Sequence, residues 1–264
     1  MERYMIFFDI DGTLLDNESG IVPESTIRAL HQAKKNGHMI FLCTGRCRAI
    51  WPREIVDIGF DGMVAGCGTT VYYHGEKILH ARLEQSLQRQ IAEDMVKYRV
   101  DGVLEGEDYC YFSKDRFLPV IHQIYKDNGK FFGRDCQRIF QEEESLYYDK
   151  FTVWFDETGD IEGFKAKYEK DFEFILRDPT FYEIVPKAYS KATGIELLCE
   201  KTGIDREHTI GVGDSTNDLA MLQYTGISIA MGSGDPALFP QVDYVTGGVA
   251  EDGIEQALRK YNII

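Results

Sequence analysis

Short unbroken apolar runs, each ending in an acidic or glycine-containing turn, mark both ends of the chain. Tyr4-Met5-Ile6-Phe7-Phe8 stops at Asp9-Ile10-Asp11-Gly12-Thr13, and Met39-Ile40-Phe41-Leu42-Cys43 stops at Thr44-Gly45-Arg46; Met63-Val64-Ala65 is a third apolar segment. Runs without polar alternation predict strands covered on both faces. Between the first two, Pro23 suits a first helical turn, and Ile27, Leu30, Ala33 and Lys34 keep helical spacing until Gly37 supplies a stop. A second helix is predicted over 48–58. The same grammar returns near the other end, with a helix over 191–201, a strand over 208–213 that opens into Asp214, and a short helix. A strand over 227–230 and a closing helix over 251–261 complete it. This alternation predicts an α/β chain built on a Rossmann-like parallel sheet to which both ends contribute.

The middle has a different texture. Tyr109-Cys110-Tyr111-Phe112, Phe151-Thr152-Val153-Trp154-Phe155 and Phe181-Tyr182-Glu183-Ile184-Val185 alternate between helical stretches and the acidic Glu142-Glu143-Glu144. This predicts an α+β insert over 84–186, between core segments 1–83 and 187–264. Its aromatic residues suit sheet core better than a ligand platform. The sequence has no internal repeat and no low-complexity segment.

Composition narrows the function. At 44% apolar and 28% charged, the 264 residues have the usage of a folded chain. Lysine and arginine number 29 against 44 acidic residues, a net charge of −15, which disfavours nucleic acid and membrane surfaces as partners. An anionic substrate would then need local cations, a metal or a few placed Lys and Arg. Cys43, Cys47, Cys67, Cys110, Cys136 and Cys199 form neither a CxxC pair nor a zinc spacing, as expected of reduced thiols in a cytoplasmic protein. No apolar run approaches the ~18 residues of a membrane span. Asp9 and Asp11 cut the apolar start short, so no signal peptide is expected.

In an open parallel sheet the site lies beyond the carboxyl ends of the strands, and here predicted strands end in Asp9 and Asp11, in Thr44 and in Asp214. Four segments stand out: Asp9-Ile10-Asp11-Gly12-Thr13-Leu14-Leu15-Asp16, Thr44-Gly45-Arg46, Lys191-Ala192-Thr193-Gly194-Ile195 and Gly213-Asp214-Ser215-Thr216-Asn217-Asp218. In order and over the whole chain they resemble the four motifs of the haloacid dehalogenase superfamily, in its Cof-type sugar-phosphatase branch. The resemblance implies that superfamily's fold with the insert as a cap. It also implies a Mg²⁺-dependent phosphatase acting on a small phosphorylated metabolite, a sugar phosphate above all, through an aspartyl-phosphate.

Each position can also be read as chemistry. A carboxylate that attacks phosphorus needs a rigid strand end close to a metal, which suits Asp9. Asp11 emerges from the same turn and can protonate the leaving oxygen, then deprotonate the hydrolytic water. Asp9, Asp214 and the backbone carbonyl of Asp11 would give Mg²⁺ a hard, incomplete oxygen shell. Asp214 also suits a helix N-cap. Thr44 offers its hydroxyl, and with Gly45 its backbone amides, to a phosphoryl group, while Lys191 supplies a point charge. Asn217 resembles the superfamily's phosphate-binding amide. Asp218 is expected to orient either a metal-bound water or Lys191. Arg46 reads equally as a group beside the site or as a helix-start surface charge.

Other chemistries find no support. Gly66-x-Gly68 and Gly211-x-Gly213 lack the third glycine of a dinucleotide loop, and neither a GxxxxGK[ST], an HExxH nor a GxSxG occurs. After the third strand the superfamily commonly has Asn-Gly-Ala where this chain has Cys67-Gly68-Thr69, which puts a polar substrate contact in doubt. Two alternatives stay open: a phosphomutase of the phosphomannomutase type, and a phosphometabolite-binding protein without catalysis. The sequence leaves the oligomeric state undetermined.

Overall fold

The computed structural model describes residues 2–131 and 136–264. Its first strands are β1 (Met5–Phe8), β2 (Met39–Cys43), β3 (Gly62–Ala65), β4 (Thr70–Tyr73) and β5 (Glu76–His80). There follow β6 (Asp101–Glu105), β7 (Cys110–Phe112), β8 (Gln137–Ile139), β9 (Lys150–Trp154), β10 (Phe172–Asp178) and β11 (Phe181–Pro186). The last are β12 (Thr209–Gly213), β13 (Ile227–Ala230) and β14 (Tyr244–Val245). The helices are α1 (Glu24–Lys35), α2 (Arg53–Val56), α3 (Gln85–Lys97), α4 (Pro119–Phe131), α5 (Ile161–Tyr168), α6 (Lys191–Thr202), α7 (Leu219–Tyr224) and α8 (Gly253–Lys260).

The chain forms two compact units, one of Met1–Gly45, Arg53–Leu79 and Ser190–Ile264, the other of Arg46–Pro52 and His80–Tyr189. The first holds an eight-stranded sheet in the order β14-β13-β12-β1-β2-β3-β4-β5, parallel from β14 to β3. Its class is mixed α/β around a parallel sheet, as the alternation of strand and helix signals predicts. Alternate residues of β1 serve opposite cores: Ile6 and Phe8 pack with residues of α1 and α8, Met5 and Phe7 with residues of α6 and α7. Both faces being covered, the strand has no polar position to spare, which is why it reads as a continuous apolar run.

Register turns this packing into a site. Phe8 stands beside Leu42 of β2 and Val212 of β12. The residues just past that line, Asp9, Thr44 and Asp214, therefore leave the sheet at one edge, held by backbone bonds from Asp9 N–H to the Val212 carbonyl (3.0 Å) and from Thr44 N–H to the Val64 carbonyl (2.8 Å).

Two expectations need correction. The single helix predicted over 48–58 is a 3₁₀ turn, Arg48–Ile50, followed by the four-residue α2. Pro52 between them has no N–H to donate to a continuous helix. Residues 46–52, expected in the core, group instead with the second unit, because Cys47 and Ala49 pack against Val103, Cys110 and Phe112 there. The units part at 79/80 and 189/190, against the expected 83/84 and 186/187.

The second unit holds a six-stranded sheet in the order β10-β11-β9-β6-β7-β8, antiparallel except between β7 and β8. One face buries Leu104, Phe151, Val153 and Ile184 against Ile91, Met95 and Phe164 of α3 and α5. The other carries Val103, Cys110 and Phe112 under Ile121 of α4.

Phe7 is fully buried and its ring stacks on Phe41 with centroids 4.9 Å apart. Phe7→Ala is expected to lower the unfolding free energy by about 3–5 kcal/mol in urea titrations, the cost of a cavity at the sheet's centre. A loss below about 1 kcal/mol would contradict the packing described.

Candidate active site

The first unit gathers the expected carboxylates at its strand ends. Single ligand oxygens of Asp9, Asp214 and Asp218 lie within 4.8 Å of one another. The Lys191 ammonium donates to Asp9 Oδ1 at 2.7 Å and to Asp218 Oδ1 at 2.5 Å. All four come from different stretches of chain: the end of β1, the start of α6, the end of β12 and the 3₁₀ turn after it.

Asp218 is fully buried, and its second oxygen accepts the backbone N–H groups of Asp214 (3.0 Å) and Ser215 (3.1 Å). It thus holds Lys191 with one oxygen and shapes the Asp214 turn with the other. Of the two partners expected for it, a metal-bound water or Lys191, the structure shows the bond to Lys191. Asn217 Oδ1 accepts from the Ser215 hydroxyl at 2.7 Å, which leaves the two amide hydrogens of Asn217 for another acceptor.

Local backbone makes room for these groups. Gly12 has φ +74°, and a Cβ there would stand 2.3 Å from Asp214 Oδ2. A Cβ on Gly213 would stand 2.6 Å from the Asp218 side chain. On α6, Ser190 caps the helix by a reciprocal bond with Thr193, which fixes Lys191 in the first turn. Gly194 lets that turn approach β3, since a Cβ would meet Val64 at 2.4 Å. Gly68, at φ +95°, passes so close to the Ser190 carbonyl that a Cβ would lie 2.0 Å from it. Gly12 and Gly68 stood in the quoted motifs without a steric role, and Ser190 was missed, though the S-x-x-T spacing ahead of an apolar stretch was a local signal for it.

Cys67 sits between Gly66 and Gly68 in a run of three left-handed residues, with φ +55°. Asparagine adopts this conformation more readily than most residues, which gives a conformational reason for the Asn that the superfamily commonly has there. The Cys67 side chain is buried, and its N–H donates to the Thr44 carbonyl at 3.0 Å, tying the loop to the Thr44-Gly45 turn. Thr44 itself is buried, and Gly45 is half-buried. Arg46 belongs to the second unit, where its guanidinium donates to the Ile50 carbonyl at 3.1 Å. Asp11 is half-buried in the turn after Asp9, forming an isolated bridge with Leu15.

Charge dominates the electrostatics. Burial pushes the Asp9 carboxyl up to about 8; Lys191 opposes the rise, and Asp218 and Asp11 add to it. Burial works against the Lys191 ammonium, but Asp218 and Asp9 outweigh it and hold the pKa well above the ordinary lysine value. One ammonium among Asp9, Asp11, Asp214 and Asp218 leaves an excess of negative charge, and that fits a hard divalent cation held by oxygen. Asp9 and Asp214 are the carboxylates suited to hold it, since Asp218 is committed to Lys191 and two backbone amides.

Lys191→Met removes the only ammonium bonded to Asp9 and Asp218 among the described residues. A buried carboxylate deprived of its partner costs about 3–5 kcal/mol, and proton uptake by the acid relieves part of that. Burial already holds the wild-type Asp9 proton up to about 8, and loss of the ammonium that opposes this raises it further, so the variant loses stability relative to wild type as pH rises from about 8 to about 10. Denaturant titrations across that range should show a widening gap; a gap independent of pH would contradict the pairing.

The comparisons agree with this geometry. Residues 6–258 match the model of a family described as haloacid dehalogenase-like hydrolase. The chain is 26% identical, over the full length of both, to YkrA of Bacillus subtilis, a candidate phosphatase. It is 29% identical, over 98% of itself, to a candidate bifunctional phosphatase/peptidyl-prolyl cis-trans isomerase of Streptococcus pyogenes, of which it spans about half, 54%. A solved subclass IIB sugar phosphatase of the same superfamily superposes with a TM-score of 0.84 at 28% identity, over 99% of this chain and 100% of the other. With the four motifs brought to one sheet edge and a family match over nearly the whole sequence, the chain belongs to the haloacid dehalogenase-like hydrolases.

Proposed function

We propose that this protein is a phosphomonoesterase that transfers the phosphoryl group of a small phosphorylated metabolite, a sugar phosphate above all, to Asp9 and then to water. The observation that carries the reading is the pairing of Asp9 with a fully buried Lys191, within 4.8 Å of the Asp214 and Asp218 oxygens. The sugar phosphatase among the similar structures supports the substrate class.

In this reading the free Asp9 oxygen attacks phosphorus while the bond to the ester oxygen breaks, and Asp11 gives its proton to the departing alkoxide. Asp11, now a carboxylate, takes a proton from water as that water attacks phosphorus. The bond from phosphorus to Asp9 breaks and phosphate leaves. Lys191 holds Asp9 Oδ1 in place, and its charge offsets that of the phosphoryl oxygens. Thr44, the Gly45 amide and Asn217 would bind those oxygens. A divalent cation such as Mg²⁺, held by Asp9, Asp214 and the Asp11 carbonyl, would shield the incoming dianion from the carboxylate that attacks it.

The inserted unit is assigned the selection of the leaving group. The chain leaves the first unit immediately after Gly45 and again after Leu79, and returns at Ser190, one residue before Lys191.

Asp9→Asn is expected to abolish phosphate release from p-nitrophenyl phosphate with Mg²⁺, with circular dichroism unchanged, because an amide forms no acyl-phosphate. Asp11→Asn should lose on the order of 10²-fold or more in kcat. EDTA should silence the wild type and Mg²⁺ restore it. Turnover by Asp9→Asn within about tenfold of wild type would remove Asp9 as nucleophile.

A further inference from the structure

One end of the second unit's sheet is β10, with the sequence Phe172-Glu173-Phe174-Ile175-Leu176-Arg177-Asp178. It pairs antiparallel with β11 and, among the described residues, no strand lies along its other side. Register shows which backbone groups face that open side. The Lys187 N–H donates to the Asp171 carbonyl at 3.0 Å, one step beyond the pairing of Phe172 with Pro186. An antiparallel strand turns successive residues to alternate sides, so Glu173 and Ile175 bond inward to β11 while Phe172, Phe174 and Leu176 present N–H and C=O outward. Pro186, which lacks an N–H, sits opposite the outward-facing Phe172, as this phase requires.

The open edge is complementary to itself. If a second copy approaches about a two-fold axis at Ile175, Phe174 of each copy faces Leu176 of the other. These are the residues with outward backbone groups, and the two pairs make four N–H···O=C bonds. Ile175 faces its own counterpart, and Glu173 of each copy faces Arg177 of the other. Glu173 shares a face of the strand with Ile175, and Arg177 turns to that face as well, since its guanidinium reaches Glu183 opposite Ile175, so opposite charges meet at both ends of the pairing. The regular ladder ends in a register shift between Leu176 and Asp178, so Glu173 and Arg177 close off a short central pairing. The Arg177 guanidinium stands a long 4.0 Å from a Glu183 carboxylate oxygen. Leu176 is 54% exposed, a large apolar side chain on an open edge, where a monomer is better served by charge or proline.

We propose that β10 is a homodimerisation edge, where two copies pair antiparallel across a two-fold axis at Ile175 and join their six-stranded sheets into one. The partner is a second copy of this chain, because the alternation of acid, apolar and base on β10 matches its own reverse.

Sedimentation velocity of the full chain, from about 1 to about 100 µM, tests this. Wild type should show a concentration-dependent dimer. Glu173→Arg sets arginine against Arg177 and should raise the dimer dissociation constant about tenfold or more, as should Arg177→Glu. The double variant Glu173→Arg/Arg177→Glu restores opposite charges and should return the constant to within about threefold of wild type. Leu176→Asp, which alters neither the bonds to β11 nor Glu183, should also dissociate the dimer while leaving the circular dichroism spectrum unchanged. A wild type that stays monomeric throughout overturns the proposal. So does a dimer indifferent to Glu173→Arg, which would place association elsewhere, and so does a folded double variant that fails to recover.

Discussion

The site depends on one buried ammonium. Lys191 is 1% exposed and stands between Asp9 and Asp218, two carboxylates that could not share that space unaided. Burial penalises all three charges, and only their mutual attraction, with the backbone amides on Asp218, makes the arrangement tolerable. The same pairing gives Asp9 a fixed oxygen and a local positive charge in a chain whose net charge is −15. The general negative field would otherwise repel a phosphorylated substrate. Strand register brings Asp9 and the Asp214 turn to one place, and the ammonium ties Asp9 to Asp218 there.

Holding it takes backbone as well as charge. The Ser190 cap starts α6 at Lys191, Gly194 lets the helix approach β3, and Gly68 lets the Cys67 loop pass under the Ser190 carbonyl. Gly12 and Gly213 clear the space that the Asp214 and Asp218 carboxylates occupy. Small residues in these motifs are therefore steric requirements of the charged ones. A motif that reads as a string of polar residues is in three dimensions a set of carboxylates and the gaps that admit them.

The second unit obeys the same rule about buried charge. Lys150 is almost wholly buried and bonds to Glu183 at 2.6 Å, with Glu105 at 3.2 Å. Burial raises the Glu105 pKa while Lys150 pulls it back. Neither acid was singled out in the sequence, because Glu105 and Lys150 lie far apart in the chain and meet only through the pairing of β6 with β9. The β4–β5 hairpin was also missed. Its turn, His74 at φ +47° and Gly75 at φ +80°, uses a residue pair that lacks the usual Asn-Gly or Asp-Gly signature. The strand after it, Glu76–His80, buries no residue completely and so shows no clean alternation.

The sequence by itself determined the α/β class, the strands β1, β2, β12 and β13, and the identity of the residues at their ends. A strand covered on both faces must be apolar throughout, and its chemistry must then gather where the run stops. Tertiary structure decided everything that depends on which strands are neighbours. It set Asp9 beside Asp214, gave Lys191 to Asp9 and Asp218 together, and placed Cys67 in a left-handed turn bonded to Thr44. It also drew residues 46–52 into the second unit through Cys47 and Ala49. Spacing along a chain carries the period of its own helix or strand, whereas a partner 182 residues away, as Asp9 is from Lys191, is chosen only by register and packing.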